Sequence, residues 1–179
     1  GMNPSRIALL DKLMEMGGDI QVFNHSLFGK EPIADLNIKS SVLNPCEVTP
    51  DDVPNLIDEL PILFIASCFA EGTSSFIDIE ELKHKESDRL KAMQDGLNKM
   101  RIKNFLDGNV FCIEGMGKDY KSPNFLAETY YDHRIAMSFA IAGLNSNSSI
   151  EIASPESINT SFPEFIELGK KLGCNFEIS

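Results

Sequence analysis

Two stretches of the chain share one order of apolar and polar positions. "IDELPILFIASCFAEGTSSFIDI" (57–79) and "YDHRIAMSFAIAGLNSNSSIEI" (131–152) align with Asp58 on Asp132. Each reads as an acidic opening, an apolar run, a polar turn and an alternating strand. At the same offset Ser74 and Ser75 fall on Ser148 and Ser149, and Ile77 and Ile79 fall near Ile150 and Ile152. The apolar runs, about 58–70 and 132–144, predict helices. Having no polar face, those helices are expected to be buried on all sides. A second helix is expected after each, over "SDRLKAMQDGLNKM" (87–100) and "SFPEFIELGKKLG" (161–173), and a third copy opens the chain at "SRIALLDKLMEMGG" (5–18). Leu90, Met93, Leu97 and Met100 recur at helical spacing with Lys91, Asp95, Asn98 and Lys99 between them, which predicts one buried and one wet face. A serine near each of these starts is expected to accept from the free N–H groups of the first turn.

Short alternating strands follow the second helices: "DIQVF" and "ADLNIKS", then "KNFLD" and "NVFCIEG", then "CNFEIS". Two loops rich in Pro, Asp, Asn and Gly, 43–55 and 115–124, divide the units. The pattern is a βαβαββ repeat, once whole and twice partial. It predicts an α/β fold forming one domain over 1–179, with units at roughly 1–43 (partial), 44–117 and 118–179. The first unit lacks its opening strand and first helix, and the third lacks its last strand. Such an arrangement is expected to be cut from something larger, and Gly1 ahead of Met2 reads as a cloning remnant.

Composition narrows the function classes. The 179 residues are 42% hydrophobic and 24% charged, as in a globular protein. A net charge of −11 argues against a nucleic-acid surface, which needs a broad basic face. It leaves room for small anions, which respond to local clusters. The longest apolar run, "LPILFIASCFA" (60–70), falls short of the roughly 18 residues of a membrane span. Four cysteines stand far apart without a CxxC, as expected of free thiols in a cytoplasmic protein. Three histidines without ligand spacing predict no metal site.

Charge gathers at two helix starts. Lys83, His84, Lys85, Glu86, Asp88 and Arg89 surround the opening of the middle second helix, and Asp132, His133 and Arg134 open the last first helix. Two of the chain's four arginines sit at these points. A helix N-terminus offers unpaired N–H groups and about half a positive charge, and a guanidinium adds a planar fork matched to phosphate or carboxylate. The plain alternative is a solvated charge network with Asp132 as a simple N-cap. Spacing alone favours that alternative.

The strings "IDELPIL", "KESDRLKAM", "YDHRIAM" and "SFPEF", in that order over nearly the whole chain, resemble the C-terminal domain of the 5-enolpyruvylshikimate-3-phosphate (EPSP) synthase family. "NPSR…LMEMGG" and "EPIADL" are similar to it as well. The resemblance implies a fold of βαβαββ units with pseudo-threefold symmetry, helices inward and sheets outward. It implies a transferase reaction without metal or cofactor, in which the 5-hydroxyl of shikimate 3-phosphate attacks C2 of phosphoenolpyruvate. By resemblance Asp58 engages the shikimate hydroxyls and serves in proton transfer. Lys85 lies near the transferring hydroxyl, and Glu86 manages the proton at C3. Arg89 and Arg134 grip phosphoenolpyruvate with His133 beside them. The missing N-terminal domain of the same chain would be the partner, and this piece alone is expected to be inactive. Two positions depart from the family pattern: Thr160 stands where many members have lysine, and Arg101 where a glycine usually ends the helix.

Two alternatives stand beside this reading: a catalytically silent domain of the same fold, and the related UDP-N-acetylglucosamine enolpyruvyl transferase. An open sheet edge at "CNFEIS" further predicts a dimer.

Overall fold

The apolar run after Asp58 folds into a helix that is buried nearly all round, but the helix begins only at Leu60. In chain order the elements are α1 (Ala8–Glu15), β1 (Asp19–Phe28), β2 (Glu31–Lys39), β3 (Glu47–Val48), α2 (Val53–Leu56), α3 (Leu60–Cys68), β4 (Glu71–Ile77), α4 (Arg89–Lys99), β5 (Asn104–Asp107), β6 (Val110–Met116), β7 (Phe125–Ala127), α5 (His133–Gly143), β8 (Ile150–Ile152) and α6 (Phe165–Lys171). Short 3₁₀ turns occupy Glu80–His84 and Pro155–Thr160. The structure, a computed structural model, describes residues 1–146 and 149–177. Two compact units emerge, Gly1–Ile79 with Phe105–Asp119, and Glu80–Asn104 with Tyr120–Ser179.

In the first unit a four-stranded sheet runs in the order β3-β4-β6-β5. β3 pairs parallel with β4, and β4 pairs antiparallel with β6 from Glu71↔Met116 to Ile77↔Val110. The core lies between this sheet and α3. Phe64 meets Phe76 edge-on at 4.6 Å and Phe111 at 5.1 Å, and all three rings are fully buried. A Cβ on Gly115 would stand 2.3 Å from the Ala70 carbonyl oxygen, so only glycine lets β6 pass the end of α3 this closely. β1 and β2 form a separate antiparallel ribbon, and Asn24 takes a φ of 53° where the register shifts between Phe23 and Ser26.

In the second unit β7 and β8 pair in parallel on either side of α5, as β3 and β4 do on either side of α3. α4 packs against α5 through Gly96, where a Cβ would fall 1.9 Å from Phe139 Cζ. Three helix ends repeat one geometry. Gly17, Arg101 and Gly173 have φ of 91°, 61° and 89°. In each case the next N–H donates five residues back at 2.9 Å: Gly18 to Leu13, Ile102 to Leu97, Cys174 to Gly169. Arg101 therefore makes the same cap as the two glycines.

Several expected details change. The helix expected over 58–70 is shorter, a turn at 57–59 followed by α3 over Leu60–Cys68, because Pro61 belongs in a helix's first turn and fixes the start beside it. None of the serines caps a second helix. Asp88 accepts from the Lys91 N–H at 2.9 Å for α4, and α1 and α6 have no side-chain cap. α6 starts at Phe165 rather than 161. Residues 174–177 of "CNFEIS" form no strand, since Phe176 instead stacks on Phe165 at 5.5 Å. The open edge expected there is thus not formed by described residues. Ser148, aligned with the buried Ser74, lies outside the described residues, as do Ile178 and Ser179.

Candidate active site

The starts of α4 and α5 meet within the second unit, and one carboxylate joins them. Asp132 caps α5 with Oδ1, accepting from the backbone N–H of Arg134 at 2.9 Å and of Ile135 at 3.5 Å. Its Oδ2 accepts from Arg89 Nε at 2.8 Å and from Ser87 Oγ at 3.0 Å. Asp132 is fully buried and Arg89 is only 1% exposed. The Arg89 Nη2 also pairs with Glu86 Oε2, one turn back. A guanidinium bonded along two edges has its plane fixed, and charge-assisted bonds of this kind are about twice as strong as neutral ones.

The chain reaches Asp132 through a strained turn. Tyr130 and Tyr131 both take left-handed φ, 52° and 60°, which costs a bulky residue on the order of 1–3 kcal/mol. The turn is anchored at Thr129, which is buried, donates its hydroxyl to the Ala153 carbonyl at 2.8 Å, and accepts the Asp132 N–H at 2.9 Å. Backbone strain next to a buried charge pair marks a position held by its surroundings.

The sequence-derived residues distribute as follows. Glu86 and Arg89 join the Asp132 network through their side chains, and Arg134 joins it through its backbone. His133, the first residue of α5, is half-buried. Lys85 pairs with Glu81 at 2.6 Å and is 21% exposed. Asp58 belongs to the first unit. It sits in the turn before α3, half-buried, in a polar groove that also takes in Ser5, Arg6, Asn55 and Glu59. Thr160 ends a 3₁₀ turn and donates to the Ser157 carbonyl at 2.7 Å.

Sequence reasoning missed the double use of Asp132, and with it Ser87. The only signal was an N-cap aspartate one turn's reach from an arginine, and nothing local joins residues 43 apart. Among the described residues no group of three or more His, Cys, Asp or Glu side chains is arranged to hold a metal ion, and no helix is long and apolar enough to cross a membrane.

The family model described as EPSP synthase (3-phosphoshikimate 1-carboxyvinyltransferase) matches residues 1–168. The chain belongs to the EPSP synthase family. It is 44% identical over 183 residues to the 3-phosphoshikimate 1-carboxyvinyltransferase of Zymomonas mobilis, covering 99% of this chain and 40% of that one. The Petrotoga mobilis protein of the same name is 42% identical over 172 residues, with 96% and 39% covered. The solved EPSP synthase of Acinetobacter baumannii superimposes on all of this chain with a TM-score of 0.94 at 42% identity, over 41% of its own length. The enolpyruvyl transferase NikO of Streptomyces tendae, at 19% identity and a TM-score of 0.68, shares the α/β fold. This EPSP synthase family chain spans about 40% of the length of the curated relatives it matches.

Proposed function

We propose that the chain is the C-terminal portion of an EPSP synthase and supplies the phosphoenolpyruvate side of its active site. The reaction is transfer of the enolpyruvyl group from phosphoenolpyruvate to the 5-hydroxyl of shikimate 3-phosphate, a step of the shikimate pathway toward aromatic amino acids in the cytoplasm. The observation that supports it most is the buried Arg89–Asp132 pair at the meeting starts of α4 and α5, in a chain of this family.

Each step needs a residue type that these positions supply. Phosphoenolpyruvate is a multiply charged anion, and Arg89 and Arg134, charged at any working pH, are assigned to hold it with His133 beside them. Glu86 is assigned to the proton at C3 and Lys85 to the region of the transferring hydroxyl. Asp58 is assigned to the shikimate hydroxyls and to the hydroxyl proton. The hydroxyl oxygen bonds to C2 as C3 gains a proton. The tetrahedral intermediate then loses that C3 proton and phosphate, which restores the double bond. The residues named account for every proton moved without a metal or cofactor. The partner is the part of the enzyme that the relatives possess beyond this chain's span. Holding two substrates together in a closed cleft is worth roughly 7–11 kcal/mol, and this portion alone lacks that closure.

The test is titration of the purified chain with phosphoenolpyruvate, followed by addition of the separately produced N-terminal portion and both substrates. Weak, salt-sensitive binding that Arg134→Ala abolishes is expected, with phosphate release only after the second portion is added. Absence of binding and of restored turnover would mark a silent domain and overturn the reading. Vigorous turnover by the chain alone would overturn the assignment of the missing part.

A further inference from the structure

We propose that Asp132 is a positioning residue that sets Arg89 and Arg134 in one fixed relation, a role resting on the function proposed above. The carboxylate divides its work between its two oxygens. Oδ1 holds the first turn of α5, at 2.9 Å from the Arg134 N–H, so the backbone that carries the Arg134 side chain starts at a set height and rotation. Oδ2 holds the Arg89 side chain itself, at 2.8 Å from Nε. The two arginines belong to different helices, and this one group touches both.

Three observations make this more than an ordinary cap. An N-cap needs only one oxygen, and an exposed aspartate or asparagine serves as well as a buried one. Here the residue is wholly buried, and its second oxygen takes two donors, Arg89 Nε and Ser87 Oγ. The turn delivering it places two consecutive tyrosines at left-handed φ, a conformation the surroundings must impose. Arg89, with 1% of its surface exposed, has its plane set by Asp132 on one edge and Glu86 on another. Glu86 lies on the same helix start as Arg89, so it cannot relate α4 to α5. Asp132 can, and a planar anion held between two guanidinium groups is sensitive to displacements of about an ångström.

The variant Asp132→Asn separates the two duties. Asparagine is as good an N-cap as aspartate, so the first turn of α5 keeps its acceptor. The side-chain amide, however, has one acceptor oxygen and no charge, so it cannot also hold Arg89. Two measurements on the 179-residue chain decide the matter. In nitrogen-15 NMR the Arg89 Nε–H is expected as a slowly exchanging signal, and in Asp132→Asn its exchange with water should quicken at least tenfold. The Arg134 and Ile135 amides should keep their shifts. In titrations below the unfolding range, the dissociation constant for phosphoenolpyruvate should rise at least tenfold. A residue that only stabilised the fold would lower the melting temperature and leave affinity unchanged.

If Asp132→Asn does not fold, Asp132→Glu takes its place, keeping the charge but moving the carboxylate by one methylene. The same tenfold loss is expected. An unchanged Arg89 Nε–H signal, or phosphoenolpyruvate affinity within twofold of the parent chain in a folded variant, overturns the proposal. If the parent chain binds no phosphoenolpyruvate and the added N-terminal portion restores no turnover, the proposed function falls, and the Nε–H signal alone decides the clamp.

Discussion

Arg89 Nε stands 2.8 Å from Asp132 Oδ2, 43 residues away in sequence and essentially out of reach of water. Removing Arg89 leaves the Asp132 carboxylate buried without its ion-pair partner, which costs about 3–5 kcal/mol, whereas neutralising Asp132 leaves Arg89 paired with Glu86. Arg89→Met is expected to lower unfolding stability by that order, and Asp132→Asn by less because Glu86 still pairs with Arg89. The double variant should lose clearly less than the sum, because neither orphan then remains. Urea unfolding of the four proteins gives the coupling, and strict additivity would mean the pair contributes nothing as a pair.

Arg101 occupies a left-handed cap that its two counterparts fill with glycine. A side chain there costs roughly 1 kcal/mol, partly offset because glycine has more freedom when unfolded. Arg101→Gly is therefore expected to stabilise the chain by about 0.5 kcal/mol. Gly173→Ala, at a position open enough for the methyl group, should cost about 1 kcal/mol through backbone strain alone. A raised urea midpoint for the first and a lowered one for the second, at unchanged slope, is the expected pattern.

Gly96 lets the tip of the Phe139 ring reach the backbone of α4. Gly96→Ala gains helix propensity of about 1 kcal/mol but drives a methyl group into the ring, and overpacking costs typically 1–3 kcal/mol. With an undisturbed separation of 1.9 Å the clash should prevail. A lower melting temperature is expected, recovered in part by adding Phe139→Leu. A variant more stable than the parent would show that the two helices separate easily.

Lys12 is buried on α1, with its ammonium 2.7 Å from Glu15, 3.5 Å from Asp52 and 3.1 Å from the Glu47 carbonyl oxygen. Burial opposes its charge, but Glu15 and Asp52 outweigh burial and raise its pKa above the ordinary 10.5. For Asp52 burial is likewise outweighed, by the Thr49 backbone and hydroxyl bonds and by Lys12, and its pKa falls below 3.8. The lysine's contribution is complete below pH 10.5 and is lost as pH rises through the folded-state value. The aspartate's is complete above pH 3.8 and is lost as pH falls through its own. Unfolding free energies of parent and Lys12→Met should therefore converge on the alkaline side. Parallel curves above pH 10.5 would contradict this.

Much of this was legible because apolar patterning is strong where burial is complete. The runs that became α3 and α5 have no polar face to mislead, and the spacing of Leu90, Met93 and Leu97 marked the buried side of α4. Arg101, standing where Gly17 and Gly173 stand, is expected to change the cap locally, yet it keeps the same left-handed geometry. What stayed hidden depended on distant groups. Ser87 looked like a cap, yet Asp88 was the better acceptor for α4 and the serine hydroxyl went to Asp132. Alternation in "CNFEIS" resembled a strand, but Phe176 found a ring to stack on. Pro32 gave no warning against β2, since Pro lies easily in a two-stranded ribbon, and its carbonyl takes the Met2 N–H at 2.7 Å.

The two compact units interleave along the chain, and this sets an order for their birth on the ribosome. The first sheet places β6 between β4 and β5, so β4 lacks its long antiparallel neighbour until residues 110–116 have been made. By then all of α4 has been synthesised, while α5, its packing partner, has yet to be translated. At about 5–20 residues per second, that delay leaves an apolar helix face and a strand edge bare for seconds. A nascent chain of this design is a natural client for holding chaperones.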